Sequence, residues 1–405
     1  MTKKMNDRTI QITKNQARNF FLRKQLLSRA KLAKGTKGAC QVVEKLGYVQ
    51  IDTINVIERS HHVVLFTRCP DYKTSYLDKL YAEKKLFEYW AHEASYIPMS
   101  DFRYYLPVMK RLTKKYSFIR KWIKEHRALM RQVKQRVIRE GPLTARDFKD
   151  TKRRKRGTWW DWKPAKTALE MLLWQGDFMI RERRNFERVY DLAERVIPSD
   201  VDQTFPKADE ENEFFIRRAL GALGVATVQD INRYFTVSSR LEAMLLKMQM
   251  TGEILELRIK GLKKKYYCRN DDISRLRRCR ENADDTVRFL SPFDNAIILR
   301  ERTRALFDIA YALECYAPRN KRKYGYFCLP ILWRNELVGR IDPKADRHQN
   351  TLIVKNLYIE KDVREKKKFM RALSAALHRF ATFNSCARIA VSKHIPLHTR
   401  RRLAV

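Results

Sequence analysis

The sequence is poor in the residues from which disulfide frameworks and zinc sites are built. Its seven cysteines are an odd number, and no two of them form a Cys-x-x-Cys pair. This spacing excludes a disulfide framework and a cysteine zinc cage, and it fits no iron–sulfur pattern. We therefore expect buried free thiols.

Long apolar stretches are missing as well. No run in the sequence approaches the roughly 18 apolar residues of a membrane-spanning helix. Residues 1–8 are polar and lack the apolar core of a signal peptide. The sequence therefore predicts a cytoplasmic protein without membrane spans.

Acidic residues are few relative to basic ones. The chain has 46 Asp and Glu against 86 Lys and Arg, a net charge of +40. Such an excess indicates an anionic partner, and DNA, RNA and acidic membrane surfaces are the candidates. With 405 residues, of which 44% are hydrophobic, the chain is long enough for about two to four domains with compact cores.

The order of helix and strand patterns predicts an α+β protein that is mainly helical. Short helices followed by an aromatic extended segment at 86–98 have the order of a winged helix-turn-helix unit. A helix, a glycine and a strand then follow one another twice, with Gly176 and Gly252 lying 76 residues apart, which predicts tandem units. The predicted division is three tandem winged helix-turn-helix units at 1–136, 137–205 and 206–287, then a small C-terminal β-barrel-like domain with a packed helix at 288–405.

The most informative motif is Gln50-Ile51-Asp52, in the first of these units. In an extended chain, Gln50 and Asp52 point to the same face. A carboxylate can stabilise the cationic sugar that forms when an N-glycosidic bond breaks, and an amide can hold the attacking water. The alternative is that Asp52 caps the following segment and Gln50 is an ordinary surface residue.

Other polar and aromatic residues are candidates for DNA contact. Donors at a helix start can bind phosphate, an aromatic next to a histidine can stack on a base, and basic stretches such as 152–156 bind the backbone. The alternatives are a helix cap, packing aromatics and a solvated surface, and Ser291–Asn295 is predicted to be a structural turn. The candidate DNA contacts are Lys37, Thr53, Ser60, His61, His62, Arg68, Trp90, His92, Arg153, Arg154, Arg156 and Arg181.

Five blocks of sequence form a recognisable pattern. They are YVQIDTINVIERSHHVVLFTR, EYWAHEASYIP, LSPFDNAI, RALFDIAYALECYAP and KRKYGYFCLPILWRNELVGRIDPKADR. The pattern resembles the winged-helix DNA glycosylases of the YcaQ (AlkX) type over most of the chain. This resemblance implies tandem winged helices with a small β-barrel, and excision of alkylated purines, including the unhooking of interstrand crosslinks. It also implies that Asp52 is the catalytic carboxylate, that Gln50 positions the water, and that the His61-His62 pair belongs to the family pattern.

Together these features predict a monofunctional DNA glycosylase of base excision repair. Its substrate is expected to be duplex DNA with an alkylated or crosslinked purine. An N7-alkylated purine is already a cationic leaving group, so no strong general acid is needed. We expect no metal and no organic cofactor, a monomer, and a cytoplasmic location on the nucleoid.

Two other classes of function remain open at this stage. The first is a non-catalytic winged-helix regulator, which would bind DNA without needing Asp52. The second is a metal-dependent nuclease that uses Asp342, Lys344 and Asp346.

Overall fold

The computed structural model describes residues 10–28, 31–115, 117–148, 164–235, 241–280, 284–360 and 363–403. Within these ranges the chain has a mixed α+β fold that is about half helical. The basic stretch with Arg153, Arg154 and Arg156 lies outside the described residues. None of the helices in these ranges is both long and apolar enough to cross a membrane.

The described residues form sixteen α-helices and fifteen strands. The helices are α1 (Lys14–Lys24), α2 (Gly35–Leu46), α3 (Ser60–Phe66), α4 (Thr74–Ala82), α5 (Phe102–Lys115), α6 (Ser117–Glu125), α7 (Arg127–Glu140), α8 (Pro164–Gln175), α9 (Ala193–Val196), α10 (Ala208–Leu223), α11 (Val228–Tyr234), α12 (Leu241–Met250), α13 (Ile273–Arg277), α14 (Arg300–Phe307), α15 (Lys366–Phe383) and α16 (Leu397–Leu403). The strands are β1 (Ile10–Ile12), β2 (Val49–Gln50), β3 (Leu86–Trp90), β4 (Ala94–Pro98), β5 (Leu143–Thr144), β6 (Phe178–Arg184), β7 (Glu187–Leu192), β8 (Val225–Ala226), β9 (Ile254–Ile259), β10 (Tyr266–Arg269), β11 (Val287–Phe289), β12 (Leu329–Trp333), β13 (Glu336–Asp346), β14 (Thr351–Ile359) and β15 (Arg388–Val391).

The chain divides into two compact units. The first contains Met1–Tyr76, Trp90–Ser95 and Asn212–Val405, and the second contains Leu77–Tyr89 and Tyr96–Glu211. The predicted division into four domains has other bounds, since its first domain, 1–136, contains residues of both units, and it stays a prediction.

Each unit contains a sheet built on the same plan. In the second unit the strand order is β5-β7-β6, and in the first it is β1-β9-β10-β8. In both, a short strand pairs with the second strand of a hairpin, and a helix ending in glycine precedes the hairpin. Gly176 and Gly252 adopt positive φ angles of 84° and 76°, which favour glycine at a helix C-terminus. The predicted repeat of helix, glycine and strand is therefore confirmed.

The C-terminal part of the first unit is a five-stranded sheet in the order β11-β12-β13-β14-β15. The sheet curls but has two edge strands, so it is open and not a closed barrel. Helix α15 packs Phe369, Leu373 and Phe380 against it, which confirms the predicted β-rich region with a packed helix. Ile57 and Val63 enter the same core from the segment that follows β2. The candidate motif is thus anchored on the C-terminal sheet.

Candidate active site

The extended segment that carries the Gln-Ile-Asp motif ends earlier than predicted. β2 stops at Gln50, and Asp52 lies in a turn where its Oδ1 accepts a hydrogen bond from the N–H of Ile54 at 2.8 Å. A carboxylate that binds a backbone N–H two residues ahead bends the chain. This bond turns the chain after Asp52, which agrees with the alternative that Asp52 caps the following segment. The prediction that Gln50 and Asp52 share one face concerns the residues before this turn and stays a prediction.

The carboxyl group of Asp52 is half-buried and carries no ion pair with any Lys or Arg of the described chain. Burial raises its pKa, while backbone N–H groups of Ile54 and Thr53 act in the opposite direction. The sequence holds 86 Lys and Arg residues, so an unpaired carboxylate is unexpected here. A poorly solvated carboxylate interacts strongly with any cation that forms beside it.

Cys315 and Tyr316 lie close to Asp52, and nothing in the sequence pattern singled them out. Partial burial of the Cys315 thiol and of the Tyr316 hydroxyl is the first cause that raises the pKa of each, and the negative charge of Asp52 raises it further. The side chain of Tyr316 is 78% exposed. An aromatic ring is therefore exposed to solvent near the carboxylate. In the sequence, the only sign of a role for this segment was its place in the block RALFDIAYALECYAP.

Gln50 is buried, with 6% of its surface exposed, so its reading as a surface residue is wrong. Its Oε1 accepts no hydrogen bond from the described residues. The backbone N–H of Ile51 donates to the carbonyl oxygen of Ala94 at 2.8 Å. The backbone between the amide and the carboxylate is thus held in place, while the amide oxygen keeps its accepting capacity.

The turn at Ser291–Asn295 is hydrogen-bonded to the residue that precedes β2. The N–H of Asp294 donates to the carbonyl of Ser291 at 2.9 Å, and the N–H of Ala296 donates to Oδ1 of Asp294 at 2.8 Å. The predicted structural turn is therefore confirmed. Nδ2 of Asn295 donates to the carbonyl of Tyr48 at 3.1 Å, directly before β2.

Three of the predicted DNA contacts are buried within the first unit, and these predictions are wrong. The guanidinium of Arg68 donates two 2.8 Å hydrogen bonds to Asp294, and neither side chain is exposed. Ser60 is fully buried, with its hydroxyl bonded to the hydroxyl of Ser291. His61 is 2% exposed. The partners of Arg68 and Ser60 lie in the 291–295 turn, which local sequence patterns do not connect to α3.

His62 is held as a neutral imidazole. Its Nδ1 is 2.8 Å from the hydroxyl of Tyr72. Burial, with a smaller contribution from the charge of Arg59, lowers the pKa of His62 from 6.5 to about 4. At neutral pH this side chain therefore neither carries charge nor acts as a ready acid.

The remaining candidate contacts in the described chain are more accessible. Lys37 and Thr53 are exposed, and Trp90 is half-buried at the end of β3. The Nδ1–H of His92 donates to the carbonyl of Arg233 at 2.8 Å, which fixes its ring. Arg181 is 52% exposed and pairs with Asp191 at 2.9 Å. Their role in DNA contact stays a prediction.

Asp342, one of the residues proposed for a metal-dependent nuclease, is hydrogen-bonded within the C-terminal sheet region. Asp342 is 3% exposed, and its two carboxylate oxygens accept backbone N–H bonds from Tyr326 and Phe327, both at 3.1 Å. Among the described residues no group of three or more His, Cys, Asp or Glu side chains is placed to hold a metal ion. Asp342 is thus a structural residue of the C-terminal sheet.

Comparison with known protein families decides the class of this chain. A family model described as "DNA glycosylase AlkZ-like" matches residues 43–383. The chain belongs to the AlkZ-like DNA glycosylase family. The match includes Gln50 and Asp52, and it confirms the predicted family and the predicted class of enzyme.

The fold of this family member is similar to that of a solved relative, the DNA glycosylase AlkZ of Streptomyces sahachiroi. The TM-score is 0.66 at 17% sequence identity, and the match covers 95% of this chain and 100% of that chain. At this identity the likeness shows a shared fold.

Proposed function

We propose that this DNA glycosylase is monofunctional, and that it releases N7-alkylated purines from duplex DNA and unhooks interstrand crosslinks formed through them. Asp52 stabilises the sugar cation that develops as the base departs with the electrons of the N-glycosidic bond. Gln50 positions a water molecule, whose oxygen adds to the sugar carbon while its proton passes to the Asp52 carboxylate. The enzyme thereby acts in base excision repair.

The observation that carries this proposal is the isolation of Asp52. Its carboxylate is half-buried and forms no ion pair with a described residue, in a chain with a net charge of +40. Partial burial weakens the solvent screening of its charge, so a cation that forms nearby is stabilised more than it would be in water. The raised pKa also makes the carboxylate a better base toward water.

The environment of Gln50 supports its assigned role. A buried amide oxygen without a partner costs roughly 1–3 kcal/mol, and a bound water molecule is one of the partners that satisfy such a group. The Oε1 of Gln50 has no partner among the described residues. A water molecule that donates a hydrogen bond to this Oε1 would be bound by a side chain that lies two positions before Asp52 in the sequence.

The state of His62 agrees with a cationic leaving group. With a pKa of about 4, His62 is a weak proton donor at neutral pH. An N7-alkylated purine leaves without being protonated, so the site does not need a stronger acid. The exposed ring of Tyr316 near Asp52 indicates an open site. An open site suits a crosslinked base, which is tied to the opposite strand and cannot swing into a closed pocket.

We also infer that the repeated sheet plan represents tandem winged helix-turn-helix units, with boundaries at 1–136, 137–205 and 206–287 before the C-terminal region 288–405. The β8-β10-β9 and β5-β7-β6 arrangements, each with a preceding helix, support two of them. The hairpin of β3 and β4, at whose open end the N–H of Met99 donates to the carbonyl of Lys85 at 2.8 Å, supports the third.

Duplex DNA is the partner that this enzyme class and charge require. We propose that Lys37, Thr53, His62, Trp90, His92 and Arg181 contribute to its binding, together with Arg153, Arg154 and Arg156. We expect the protein to work as a monomer on the nucleoid.

The deciding experiment measures base release. Duplex DNA with a single N7-methylguanine or a nitrogen-mustard crosslink is incubated with protein and a metal chelator. The wild type should release free base or unhook the crosslink, and Asp52→Asn should not. Asp71→Asn is the matched control, because Asp71 also accepts a backbone N–H, from Gly35 at 2.7 Å, in the same unit.

Three results would contradict the proposal. Binding without base release by the wild type would indicate a regulator, and nicks that disappear with chelator would indicate a nuclease. Full activity of Asp52→Asn would remove its assigned role. Since a lyase needs an amine nucleophile, borohydride should trap no covalent adduct on abasic DNA if the enzyme is monofunctional.

A further inference from the structure

A cavity of about 440 Å³ lies directly after Asp52 in the first unit. It is lined by residues 54–56 of the turn, by Tyr326, and by Lys344 and Lys355 of the C-terminal sheet. The turn is fixed at both ends, because Ile54 donates to Asp52 at 2.8 Å and the N–H of Ala345 donates to the carbonyl of Val56 at 2.8 Å. The cavity and the carboxylate are therefore parts of one rigid segment.

The register of β13 and β14 brings the two lysines together. Lys344 pairs with Ile353, and Lys355 lies two residues further along β14 and lines the same cavity. Asp342 pairs with Asn356 while Pro343 pairs with Val354, which leaves Lys355 as the extra residue of a β-bulge. Bulges of this kind redirect side chains and occur often beside active sites.

The two lysines line the same cavity without a compensating acid. In the described part of the chain neither forms an ion pair, whereas the nearby Arg347 is paired with Glu58 at 3.1 Å. The guanidinium of Arg322 lies over the ring of Tyr326, 4.8 Å from its centroid, and adds a further cation next to the cavity. Like charges on neighbouring strand positions destabilise each other unless an anion lies between them.

We propose that Lys344 and Lys355 bind a backbone phosphate of the strand that carries the lesion, next to the nucleotide whose sugar faces Asp52. This inference rests on the proposed function, because it takes Asp52 as the reacting group. Phosphate contacts of this kind set the register of a protein on DNA without reading its sequence. The lysines are thus positioning residues, which hold the sugar at the carboxylate through the phosphate attached to it.

The test measures DNA affinity when single phosphates of the duplex, the two lysines, or both are replaced by uncharged groups. Duplexes carry a tetrahydrofuran abasic analogue, which cannot be hydrolysed, and one uncharged methylphosphonate at each successive position around it. Wild-type affinity should fall about ten- to a hundredfold at one position beside the analogue, as for loss of a charge-assisted hydrogen bond. The Lys344→Ala, Lys355→Ala double variant should bind the unmodified duplex about as weakly as the wild type binds the duplex with that methylphosphonate. The affinity of the double variant should not fall again when the methylphosphonate is placed at that position.

The matched control is Lys366→Ala, an exposed lysine at the start of α15. This variant should keep the full loss at the same phosphate. If the alanine variants unfold, the Lys344→Gln and Lys355→Gln single variants repeat the comparison with longer side chains. Equal sensitivity of the wild type and the double variant at every position would overturn the proposal.

This binding assay separates the inference from the proposed function. If the protein releases no base but the lysines and one phosphate are coupled, only the catalytic proposal fails. If base is released and no phosphate is coupled to the lysines, only the present inference fails. Thermal unfolding of each variant excludes a structural cause, because a folding defect would weaken binding at every position alike.

Discussion

Arg68 and Asp294 form a two-point ion pair in which neither side chain is exposed to solvent. The two residues lie 226 positions apart in the chain, and each of the two hydrogen bonds between them is 2.8 Å long. Through this pair, the end of α3 is joined to the 291–295 turn. The same turn binds the carbonyl of Tyr48, directly before β2.

Replacing Asp294 by Asn should destabilise the protein strongly. The change leaves a buried guanidinium without its countercharge, and the expected loss in the free energy of unfolding is about 3–5 kcal/mol. Urea unfolding at neutral pH measures this loss. Glu140→Gln removes one partner of the exposed Arg136–Glu140 pair and is the control, which should change little. Equal midpoints for the two variants would contradict the structural role of the buried pair.

Asp52→Asn should be more stable than the wild type at neutral pH. Burial raises the pKa of Asp52, so its ionised form is disfavoured in the folded state. A raised acid pKa contributes stability below the unfolded value of 3.8 and loses it as pH rises through the folded value. The advantage of the variant should therefore be present at pH 7 and shrink as the pH falls toward 3.8.

Urea midpoints for both proteins between pH 4 and pH 7 provide the measurement. The exposed Asp71→Asn variant should show no comparable gain. If Asp52→Asn were less stable than the wild type at pH 7, the negative charge of Asp52 would stabilise the fold, which would contradict this prediction.

His62 should titrate near pH 4, as followed by NMR of its imidazole signals. Because its folded pKa is depressed from 6.5 to about 4, the stability it provides is present above 6.5 and is lost as pH falls through about 4. His62→Gln keeps a polar group opposite Tyr72 but does not titrate, so it should lose less stability than the wild type over this range. His348→Gln, at an exposed site, is the control and should track the wild type. A His62 midpoint near 6.5 would show that the imidazole is not desolvated.

Gln50→Leu should slow base release and leave DNA binding nearly unchanged. Gln50 is 6% exposed, so it has little surface to offer the DNA backbone, and its loss removes the amide that we propose holds the water. Loss of one such positioned group typically slows an enzyme about 10²-fold. Single-turnover rates and anisotropy titrations separate the two effects. An unchanged rate with weakened binding would show that Gln50 serves affinity and not chemistry.

Features that depend on short stretches of chain were predictable. Helices α8 and α12 follow from their apolar spacing and from Gly176 and Gly252 at their ends, because periodicity and a left-handed glycine act within a few residues. The end of β2 at Gln50 was not predicted, because the length of a strand depends on its pairing with β4 and not only on its own composition.

By itself, the sequence determined the class of chemistry. The Gln50 and Asp52 motif, the family-like blocks and the positive charge are local or compositional properties, and they identified a DNA glycosylase before any fold was known. Only the tertiary structure decided which polar side chains are free to act. Arg68 and Lys344 are both basic residues in a basic chain, yet Arg68 is buried against Asp294 while Lys344 lines the cavity beside the Asp52 turn. Burial and pairing depend on contacts between distant segments, and a local pattern carries no information about them.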